Sequence, residues 1–310
     1  MHETTAVLGC GVIGTSWAEA FLSAGHRVRV WDPAADLGER LKPLADRYPG
    51  RLWVASGPEE AVEGAGFIQE SGPETLEAKR SLLKRVEANV SPSAILASST
   101  STLMPTAIQS GLDLADRILI GHPFNPPHIL PLVEVVGGMS TSEASIIRAM
   151  AFYRALGKHP IRLRLERPGH LANRLQAALW REAVDAVASG QADVADVDMA
   201  VTMALGPRWA LMGPFTTFHL GGGPDGLAHF LDHLGRPFEE LWDDARRPVM
   251  TPELRQRLIE GVRQSTGERR PEDMVAERDR LLRRILEISG GRDEAGLRRP
   301  DGPDDPARPL

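Results

Sequence analysis

A glycine-rich turn near the N-terminus limits what this chain can fold into. Thr4–Leu8 is an apolar run typical of a short buried strand, and the next six residues, Gly9-Cys10-Gly11-Val12-Ile13-Gly14, form a G-x-G-x-x-G pattern. Apolar residues recur with helical spacing over residues 16–24, and a second strand-like run, Arg27–Trp31, is followed by Asp32. The order of strand, glycine turn, helix, strand and acid predicts a dinucleotide-binding unit.

Each residue type in the glycine turn has a physical reason to be there. Gly9 allows the tight turn, Gly11 leaves the backbone open to a pyrophosphate, and Gly14 lets the helix pack closely against the strand. At the start of the helix, Val12 and Ile13 offer backbone N–H groups and a partial positive charge to the phosphates. The turn therefore predicts where the pyrophosphate of the cofactor binds.

Asp32 indicates which dinucleotide binds. Its carboxylate can accept hydrogen bonds from both hydroxyls of a ribose, and it would repel the additional phosphate of NADP. Arg29 lies three positions earlier and, as a strand residue, is expected to face solvent. We therefore predict NAD as the cofactor.

Composition excludes several other classes of protein. The chain has 310 residues, enough for two domains, and its net charge of -6 without a strongly basic segment argues against a nucleic-acid partner. With no secretory signal and no long apolar run, we expect a soluble, cytoplasmic protein without a membrane partner. Cys10 is the only cysteine, so an intrachain disulfide and a Cys-based zinc site are excluded, and no metal is predicted. Cys10 is either a small residue packed beneath the cofactor or an oxidisable thiol that the cofactor protects.

Strand-like and helix-like segments alternate up to residue 167, which predicts an α/β domain with a Rossmann-like, doubly wound sheet over residues 1–167. Ligands bind beyond the carboxyl ends of the strands in such sheets. Three candidate polar residues fall at such strand ends: Glu70, Ser101 and His122. The further strands are predicted at residues 52–55, 66–70, 94–97, 117–121, 132–136 and 161–165.

The pattern changes after residue 167 and predicts an all-α domain over residues 168–290. Leu171 to Val187 and Met274 to Leu286 form apolar helix faces too long for one small helical layer to bury, so we expect a homodimer formed through this domain. Two separate helices are predicted at residues 225–234 and 238–245. Residues 291–310 contain almost nothing apolar, which predicts a disordered tail.

His122 and Glu134 are the candidate acid–base pair. His122 stands at a strand end in a proline-bracketed turn, and Glu134 lies within an otherwise apolar strand twelve positions later. An unpaired buried carboxylate is costly, and a histidine partner removes that cost while the carboxylate fixes the tautomer of the imidazole. The alternative is a turn histidine and a carboxylate that faces solvent on an edge strand.

Several motifs together resemble one family. The runs His122-Pro123-Phe124-Asn125-Pro126, Leu132-Val133-Glu134-Val135-Val136 and Asn173-Arg174-Leu175 resemble the signature of the 3-hydroxyacyl-CoA dehydrogenase family. The run Ser98-Ser99-Thr100-Ser101 is similar to its serine loop, although the family more often has Asn where Ser99 stands. The resemblance covers about residues 5 to 290. A narrower resemblance rests on four further runs, Ile68-Gln69-Glu70, Asn125-Pro126-Pro127, Gly206-Pro207-Arg208-Trp209-Ala210 and Met212-Gly213-Pro214-Phe215. On these runs, the chain looks most similar to the branch of L-gulonate 3-dehydrogenase (the lambda-crystallin type) and carnitine 3-dehydrogenase.

The resemblance implies a function and a role for individual residues. The reaction would be reversible hydride transfer between a secondary 3-alcohol and NAD. His122 would act as general base in oxidation and as acid in reduction, and Glu134 would orient it. Ser101 and Asn173 would bind the oxygen of the reacting carbon. Ser98 and Ser99 are near enough to take the place of Ser101, and the alternative for Asn173 is a helix cap or an interhelical hydrogen bond. Asn125 would support the His122 turn and border the substrate. Glu70 and Lys79 would lie on the nicotinamide side of the cofactor, and Ser99 would also bind the cofactor.

The sequence leaves the substrate open. Only 23 residues separate Asp32 from Ser56, which is short for the CoA-binding helical hairpin of the acyl-CoA enzymes and favours a small free hydroxy acid. Arg208 is the candidate carboxylate clamp, or else part of a structural ion pair. Trp209, Phe215, Phe218 and His219 either pack a helical core or cage a quaternary ammonium group, as carnitine would require. An L-3-hydroxyacyl-CoA dehydrogenase and a non-enzymatic, NAD-binding structural or redox-sensing protein are the alternatives.

Overall fold

The computed structural model describes residues 3–289, so the predicted tail at residues 291–310 lies outside the described residues. The chain forms two compact units, one that extends to Leu175 and one that begins at Gln176. The first unit contains a single eight-stranded sheet with the order β3-β2-β1-β4-β5-β6-β7-β8. Its strands are β1 (Thr4–Leu8), β2 (Arg27–Trp31), β3 (Leu52–Val54), β4 (Phe67–Glu70), β5 (Ile95–Ser98), β6 (Ile118–Pro123), β7 (Leu132–Gly137) and β8 (His159–Leu163).

Helices cover both faces of this sheet, which confirms the predicted doubly wound α/β fold. One apolar core joins the sheet to α1 (Val12–Ser23), α2 (Leu37–Arg47) and α6 (Glu143–Ala155). A second core lies on the other face, against α3 (Pro58–Val62), α4 (Leu76–Val86) and α5 (Pro105–Gln109). Strands buried on both faces read as continuous apolar runs, which is why their positions are visible in the sequence.

β7 runs against the direction of the first six strands. β6 and β7 pair antiparallel, whereas β1 to β6 pair in parallel with their neighbours. Only residues 124–131 connect β6 to β7, fewer than a parallel crossover needs. The antiparallel register places His122 directly opposite Glu134. Because β8 pairs with the other side of β7, Glu134 does not lie on an edge strand.

The second unit is helical as far as the structure describes it. α7 (Ala172–Ser189) begins in the first unit and continues into the second. The remaining helices are α8 (Val194–Ala200), a π-helical turn (Val201–Leu205), α9 (Gly206–Leu211), α10 (Pro214–Gly221), α11 (Gly226–Asp244), α12 (Pro252–Thr266) and α13 (Pro271–Ser289). No helix among residues 3–289 combines the length and apolarity that crossing a bilayer requires.

The prediction of two helices at residues 225–234 and 238–245 is wrong, because α11 is continuous through Pro237. A proline inside a helix removes one hydrogen bond and normally ends or bends it. Here aromatic packing holds the two halves of α11, before and after Pro237, in one continuous helix. Phe218 of α10 stacks on Phe230 with ring centroids 4.5 Å apart and meets Phe238 edge-on at 5.2 Å, one contact on each side of Pro237.

Candidate active site

The glycine turn has the geometry that a pyrophosphate requires. Gly9 has a φ of 90°, and a Cβ on Gly14 would stand 1.8 Å from the carbonyl oxygen of Gly9. Gly11 is the N-cap of α1, and apart from the adjoining residues of its own chain no atom lies within 4 Å of the position that its Cβ would take. The N-terminal end of α1 therefore meets an open backbone cradle, into which a phosphate fits. Val12 is exposed there, and Ile13 packs partly against the core.

Asp32 is fixed at the end of β2 by the glycine turn itself. One carboxylate oxygen accepts the N–H of Cys10 at 2.7 Å and the other accepts the N–H of Ala34 at 2.9 Å. A carboxylate oxygen has a second acceptor site, so both oxygens keep capacity for ribose hydroxyls. Arg40 donates to the carbonyl oxygen of Cys10, and Arg29 donates to the carbonyl oxygens of Glu60 and Glu63.

Cys10 is fully buried, and this burial, together with the negative charge of Asp32, raises the pKa of its thiol to about 12. The reactive thiolate is therefore suppressed at neutral pH. We expect the native protein to remain unmodified by iodoacetamide at pH 8 while the urea-unfolded protein is alkylated, as measured by intact mass. Alkylation of native Cys10 at the rate of the unfolded chain would contradict the burial and support the oxidisable-thiol alternative.

The structure brings His122 and Glu134 together as a buried pair. The Nδ1 atom of His122 lies 2.8 Å from Oε2 of Glu134, and both side chains are buried. A carboxylate only accepts hydrogen bonds, so Nδ1 carries the proton and the lone pair of Nε2 is left for a substrate. The ring of Phe124 packs edge-on against His122 with centroids 4.8 Å apart. This is the arrangement of an oriented general base.

Glu134 is held on its other side by the start of α7. Its Oε1 atom accepts the backbone N–H of Leu171 at 3.0 Å and that of Ala172 at 2.8 Å. Burial by itself would raise the pKa of Glu134, but the hydrogen bonds from His122, Ala172 and Leu171 outweigh burial and lower it. Glu134 is therefore an ionised carboxylate whose two oxygens are both engaged.

This lowered pKa has a consequence for acid stability. A carboxylate whose pKa is lower in the folded state stabilises the protein above its unfolded pKa of about 4.3, and the contribution disappears as pH falls through the folded pKa. We expect the free energy of unfolding, measured with urea, to decline as pH falls from 5 to 3, and to decline less steeply in Glu134→Gln. An unchanged pH slope in Glu134→Gln would contradict an ionised, hydrogen-bonded Glu134.

The serine loop at the end of β5 (residues 98–102) is organised by Glu74, which the sequence analysis did not single out. α4 begins at Leu76, so Glu74 stands in the loop beyond the carboxyl end of β4. One oxygen of Glu74 accepts five hydrogen bonds, from Thr100 Oγ1 at 2.6 Å, Ser101 N at 2.8 Å and Oγ at 3.1 Å, and Thr102 N at 3.1 Å and Oγ1 at 3.2 Å. The strand-end rule that singled out Glu70 would have found this carboxylate as well.

Glu74 is ionised and fixes Ser101. Burial would raise the pKa of Glu74, but the bond from Thr100, the charge of Lys79 and the N–H groups of Ser101 and Thr102 together lower it. The amide of Asn173 donates to the carbonyl oxygen of Ser101 over a long 3.5 Å. The structure thus brings Ser101 and Asn173 together.

Glu70 and Lys79 form a buried ion pair. Nζ of Lys79 lies 3.0 Å from both oxygens of Glu70 and 3.5 Å from Glu74. Glu70 also accepts the hydroxyl of Ser98 and the N–H of Gly72. Their predicted place beside the nicotinamide stays a prediction, while the structure shows that their charges mainly satisfy each other.

A buried polar chain, not anticipated from the sequence, leads from α6 to the serine loop. The hydroxyl of Tyr153 donates to Gln69 at 2.7 Å, and the amide of Gln69 donates to Ser99 Oγ at 2.8 Å. Ser99 also shares a hydrogen bond with Ser71 at 2.8 Å. A Cβ on Gly121 would stand 1.9 Å from the Tyr153 hydroxyl, so the glycine before His122 is required by this chain.

His170 was also missed. It is 3% exposed, its Nε2 lies 2.9 Å from the carbonyl oxygen of Thr100, and its ring centroid is 5.2 Å from that of His122. The available signal was a histidine between the turn at Pro168-Gly169 and the helix that contains Asn173.

The two predicted substrate residues have different surroundings. Asn125 is exposed, and its side chain forms no hydrogen bond to any residue between 3 and 289, so this amide does not support the His122 turn. Arg208 is exposed in the second unit, where its Nε donates to the carbonyl oxygen of Ala204 at 3.0 Å. Arg208 forms no ion pair with any described residue, so the alternative of a structural ion pair is not supported.

The aromatic residues predicted to pack a core or to cage an ammonium group differ in exposure. Phe218 packs against the rings of α11, whereas Trp209 and Phe215 are exposed.

The carboxyl edge of the sheet therefore combines a cradle for a dinucleotide with a buried imidazole that can take up a proton. Removal of a hydride needs a bound dinucleotide, and removal of the hydroxyl proton needs the imidazole. Together they define the class of protein, a nicotinamide-dependent dehydrogenase acting on an alcohol.

Comparison with known proteins identifies the family. The model of the 3-hydroxyacyl-CoA dehydrogenase NAD-binding domain matches residues 4–52 and 41–166, and that of the C-terminal domain matches residues 169–265. The chain belongs to the 3-hydroxyacyl-CoA dehydrogenase family. It is an NAD-dependent oxidoreductase that oxidises the hydroxyl of a 3-hydroxy acid.

Individual relatives and solved structures agree with this assignment. The chain is 43% identical to L-carnitine dehydrogenase of Streptomyces coelicolor over 92% of this chain and 94% of the relative, and 38% identical to that of Oceanobacillus iheyensis over 92% and 98%. Among solved structures, 5-formyl-3-hydroxy-2-methylpyridine 4-carboxylic acid 5-dehydrogenase matches with a TM-score of 0.80 at 26% identity, over 94% of this chain and 100% of the other. A 3-hydroxyacyl-CoA dehydrogenase from Archaeoglobus fulgidus matches with a TM-score of 0.67 at 25% identity, over 93% and 99%.

Proposed function

We propose that this chain oxidises the 3-hydroxyl of a small free hydroxy acid to the 3-keto acid, and that L-carnitine is the substrate it fits best. The observation that carries the choice of a free acid is the connection between β2 and β3, which contains the single helix α2. The helical hairpin expected for a CoA-binding enzyme is not there. The L-carnitine dehydrogenases among its relatives support the narrower choice.

The charges around the serine loop favour a substrate that carries a positive group. Glu74 and Glu134 are both ionised, and the neighbouring cation Lys79 is buried between Glu70 and Glu74. An excess of carboxylates attracts a quaternary ammonium group and repels an additional anion. The carboxylate of the substrate would then need its own cation, and Arg208 is the proposed clamp.

The proposed mechanism follows from the orientation of His122. NAD, when bound, supplies the hydride acceptor. The lone pair on Nε2 of His122 takes the hydroxyl proton, and ionised Glu134 stabilises the imidazolium that forms. Ser101 and Asn173 hydrogen-bond the oxygen of the reacting carbon, and Asn125 borders the substrate.

The cofactor roles are proposed on the same basis. Gly9, Gly11 and Gly14, with Val12 and Ile13, hold the pyrophosphate, and Asp32 binds the ribose. Glu70 and Lys79 border the nicotinamide end, and Ser99 also contacts the cofactor.

Substrate preference tests this proposal. NADH formation is measured with L-carnitine, L-gulonate, 3-hydroxybutyrate and 3-hydroxybutyryl-CoA, and we expect the highest kcat/KM with L-carnitine. A preference for the thioester would overturn the free-acid proposal, and a preference for L-gulonate would overturn only the choice of carnitine. NADH binding without turnover of any substrate would favour the structural or sensing alternative.

We also propose a homodimer formed through the helical second unit. Trp180, Phe215 and Trp242 are 59%, 78% and 69% exposed in the single chain. Most of the exposed large apolar side chains among residues 3–289 belong to this unit, as expected of a surface that a second copy covers. Light scattering should give about twice the chain mass of 33.8 kDa. A mass of one chain at micromolar concentration would contradict the dimer.

A further inference from the structure

Within residues 3–289, His170 is the one buried histidine near the His122–Glu134 pair to which the proposed mechanism assigns no role. A carbonyl oxygen only accepts hydrogen bonds, so the contact with Thr100 requires a proton on Nε2 of His170. Its other ring nitrogen, Nδ1, is buried and has no hydrogen-bond partner among the described residues. A proton on Nδ1 would therefore be a buried donor without an acceptor, which is unfavourable.

The backbone at His170 is also unusual. Its φ of 50° lies in the left-handed region, which costs a residue other than glycine of the order of 1 kcal/mol or more. Two hydrogen bonds hold it there, one from its own N–H to the carbonyl oxygen of Arg167 at 3.0 Å and one from its ring to Thr100. In this conformation the next two N–H groups, those of Leu171 and Ala172, both reach Oε1 of Glu134.

We propose that His170 is a positioning residue that clamps the start of α7 to the serine loop and thereby keeps two backbone N–H groups on Glu134. The clamp connects three parts of the candidate site. Thr100 belongs to the loop that contains Ser101, and Asn173 stands three residues after His170 on the helix that the clamp orients. If the ring of His170 no longer donates to Thr100, Glu134 loses the two backbone N–H donors. Ser101 and Asn173 are then no longer held in a fixed position relative to each other.

The charged and titratable neighbours of His170 are His122 on β6, Glu134 on β7 and Glu74 after β4. Burial, with the charge of His122, lowers the pKa of His170, while the Thr100 bond and both carboxylates oppose this shift. His170 therefore stays neutral at neutral pH, and it places no second positive charge beside His122 when that residue takes up a proton.

Two variants separate the clamp from simple packing. His170→Gln removes the ring but keeps a side-chain N–H that can reach Thr100, and His170→Phe keeps the ring but has no donor. His159→Phe, at an exposed histidine of β8, is the matched control. We expect His170→Phe to lower kcat by about 10- to 100-fold, the effect of a small misplacement of catalytic groups. His170→Gln should stay within about threefold of the wild type, and so should the KM for NAD in both variants.

The pH profile gives a readout that packing alone does not move. Without the N–H groups of Leu171 and Ala172, the pKa of Glu134 is lowered less, and Glu134 is protonated at a higher pH. The acid limb of kcat/KM should therefore move to higher pH in His170→Phe and stay in place in His170→Gln and His159→Phe. Wild-type kcat and an unmoved acid limb in His170→Phe would overturn the proposal. So would equal losses in His170→Gln and His170→Phe, because the Thr100 bond would then not matter.

Nitrogen-15 NMR of histidine-labelled protein tests the clamp without substrate and without any variant. We expect the neutral Nε2–H tautomer for His170 between about pH 6 and 8. An Nδ1–H tautomer would overturn the clamp, since it has no proton to donate to Thr100. The kcat and kcat/KM measurements rest on the proposed function, whereas this NMR measurement does not. A protein that turns over no hydroxy acid but shows the Nε2–H tautomer would contradict the proposed function and support the clamp.

Discussion

His122→Ala is expected to slow the oxidation of the hydroxy acid by about 10²- to 10⁴-fold at saturating substrate, the usual contribution of a general base. The variant removes the nitrogen to which the proposed mechanism assigns the hydroxyl proton. It leaves the glycine turn and Asp32 unchanged, because those residues lie at β1 and β2 and His122 lies at the end of β6. Steady-state rates with NAD and saturating hydroxy acid measure the loss, and NADH fluorescence titration measures cofactor affinity, which should remain nearly unchanged.

His159→Ala is the matched control, since His159 is an exposed histidine of the neighbouring strand β8. It should turn over substrate at the wild-type rate. If His122→Ala instead loses NADH affinity with little effect on turnover at saturating NAD, His122 binds cofactor and is not the base. Removal of His122 also leaves Glu134 ionised with one oxygen unpaired, so a thermal melt has to accompany the kinetics.

The alternation of strands and helices was predictable because the physics that forms this sheet acts locally. Strands buried on both faces need apolar side chains at nearly every position, as in residues 94–97 and 132–136. The direction of β7 follows instead from the length of the connection before it. The sequence places His122 and Glu134 in separate strands, but only the antiparallel register puts them face to face at 2.8 Å.

The continuous helix α11 shows a different limit. Pro237 is a strong local signal for a helix end, and the prediction followed it. Packing of Phe230 and Phe238 against Phe218 overrides that signal. Such a contact joins residues of two different helices, α10 and α11, and cannot be read from the spacing within one helix.

The site residues that the sequence did not reveal act on loops. Glu74 lies in the loop between β4 and α4, and a glutamate near a helix start has the ordinary explanation of a favourable helix-dipole interaction. His170 adopts a left-handed conformation that no property of histidine predicts. Both residues orient chain segments that carry candidate catalytic groups, and their importance becomes visible only when hydrogen bonds between distant segments are known.

Glu74→Ala is expected to lower kcat/KM for the hydroxy acid by about 10- to 100-fold, although Glu74 need not touch the reacting atoms. The serine loop would lose the acceptor of five hydrogen bonds, two of them from the backbone of Ser101 and Thr102. Ser101 would then sample positions from which its hydroxyl cannot meet the substrate oxygen. Folding should survive, because Lys79 keeps its ion pair with Glu70 and no buried charge is left unpaired.

Glu74→Gln and Glu77→Ala make this prediction specific. The glutamine keeps an acceptor oxygen for the loop but loses the charge that faces Lys79 at 3.5 Å. The kcat/KM of Glu74→Gln should therefore lie between those of the wild type and Glu74→Ala. Glu77 is exposed on the first turn of α4, three residues away, and its removal should leave kcat/KM unchanged. Wild-type kcat/KM in Glu74→Ala would show that the serine loop keeps its geometry without this carboxylate. A loss confined to NAD affinity would show that Glu74 acts on the cofactor and not on Ser101.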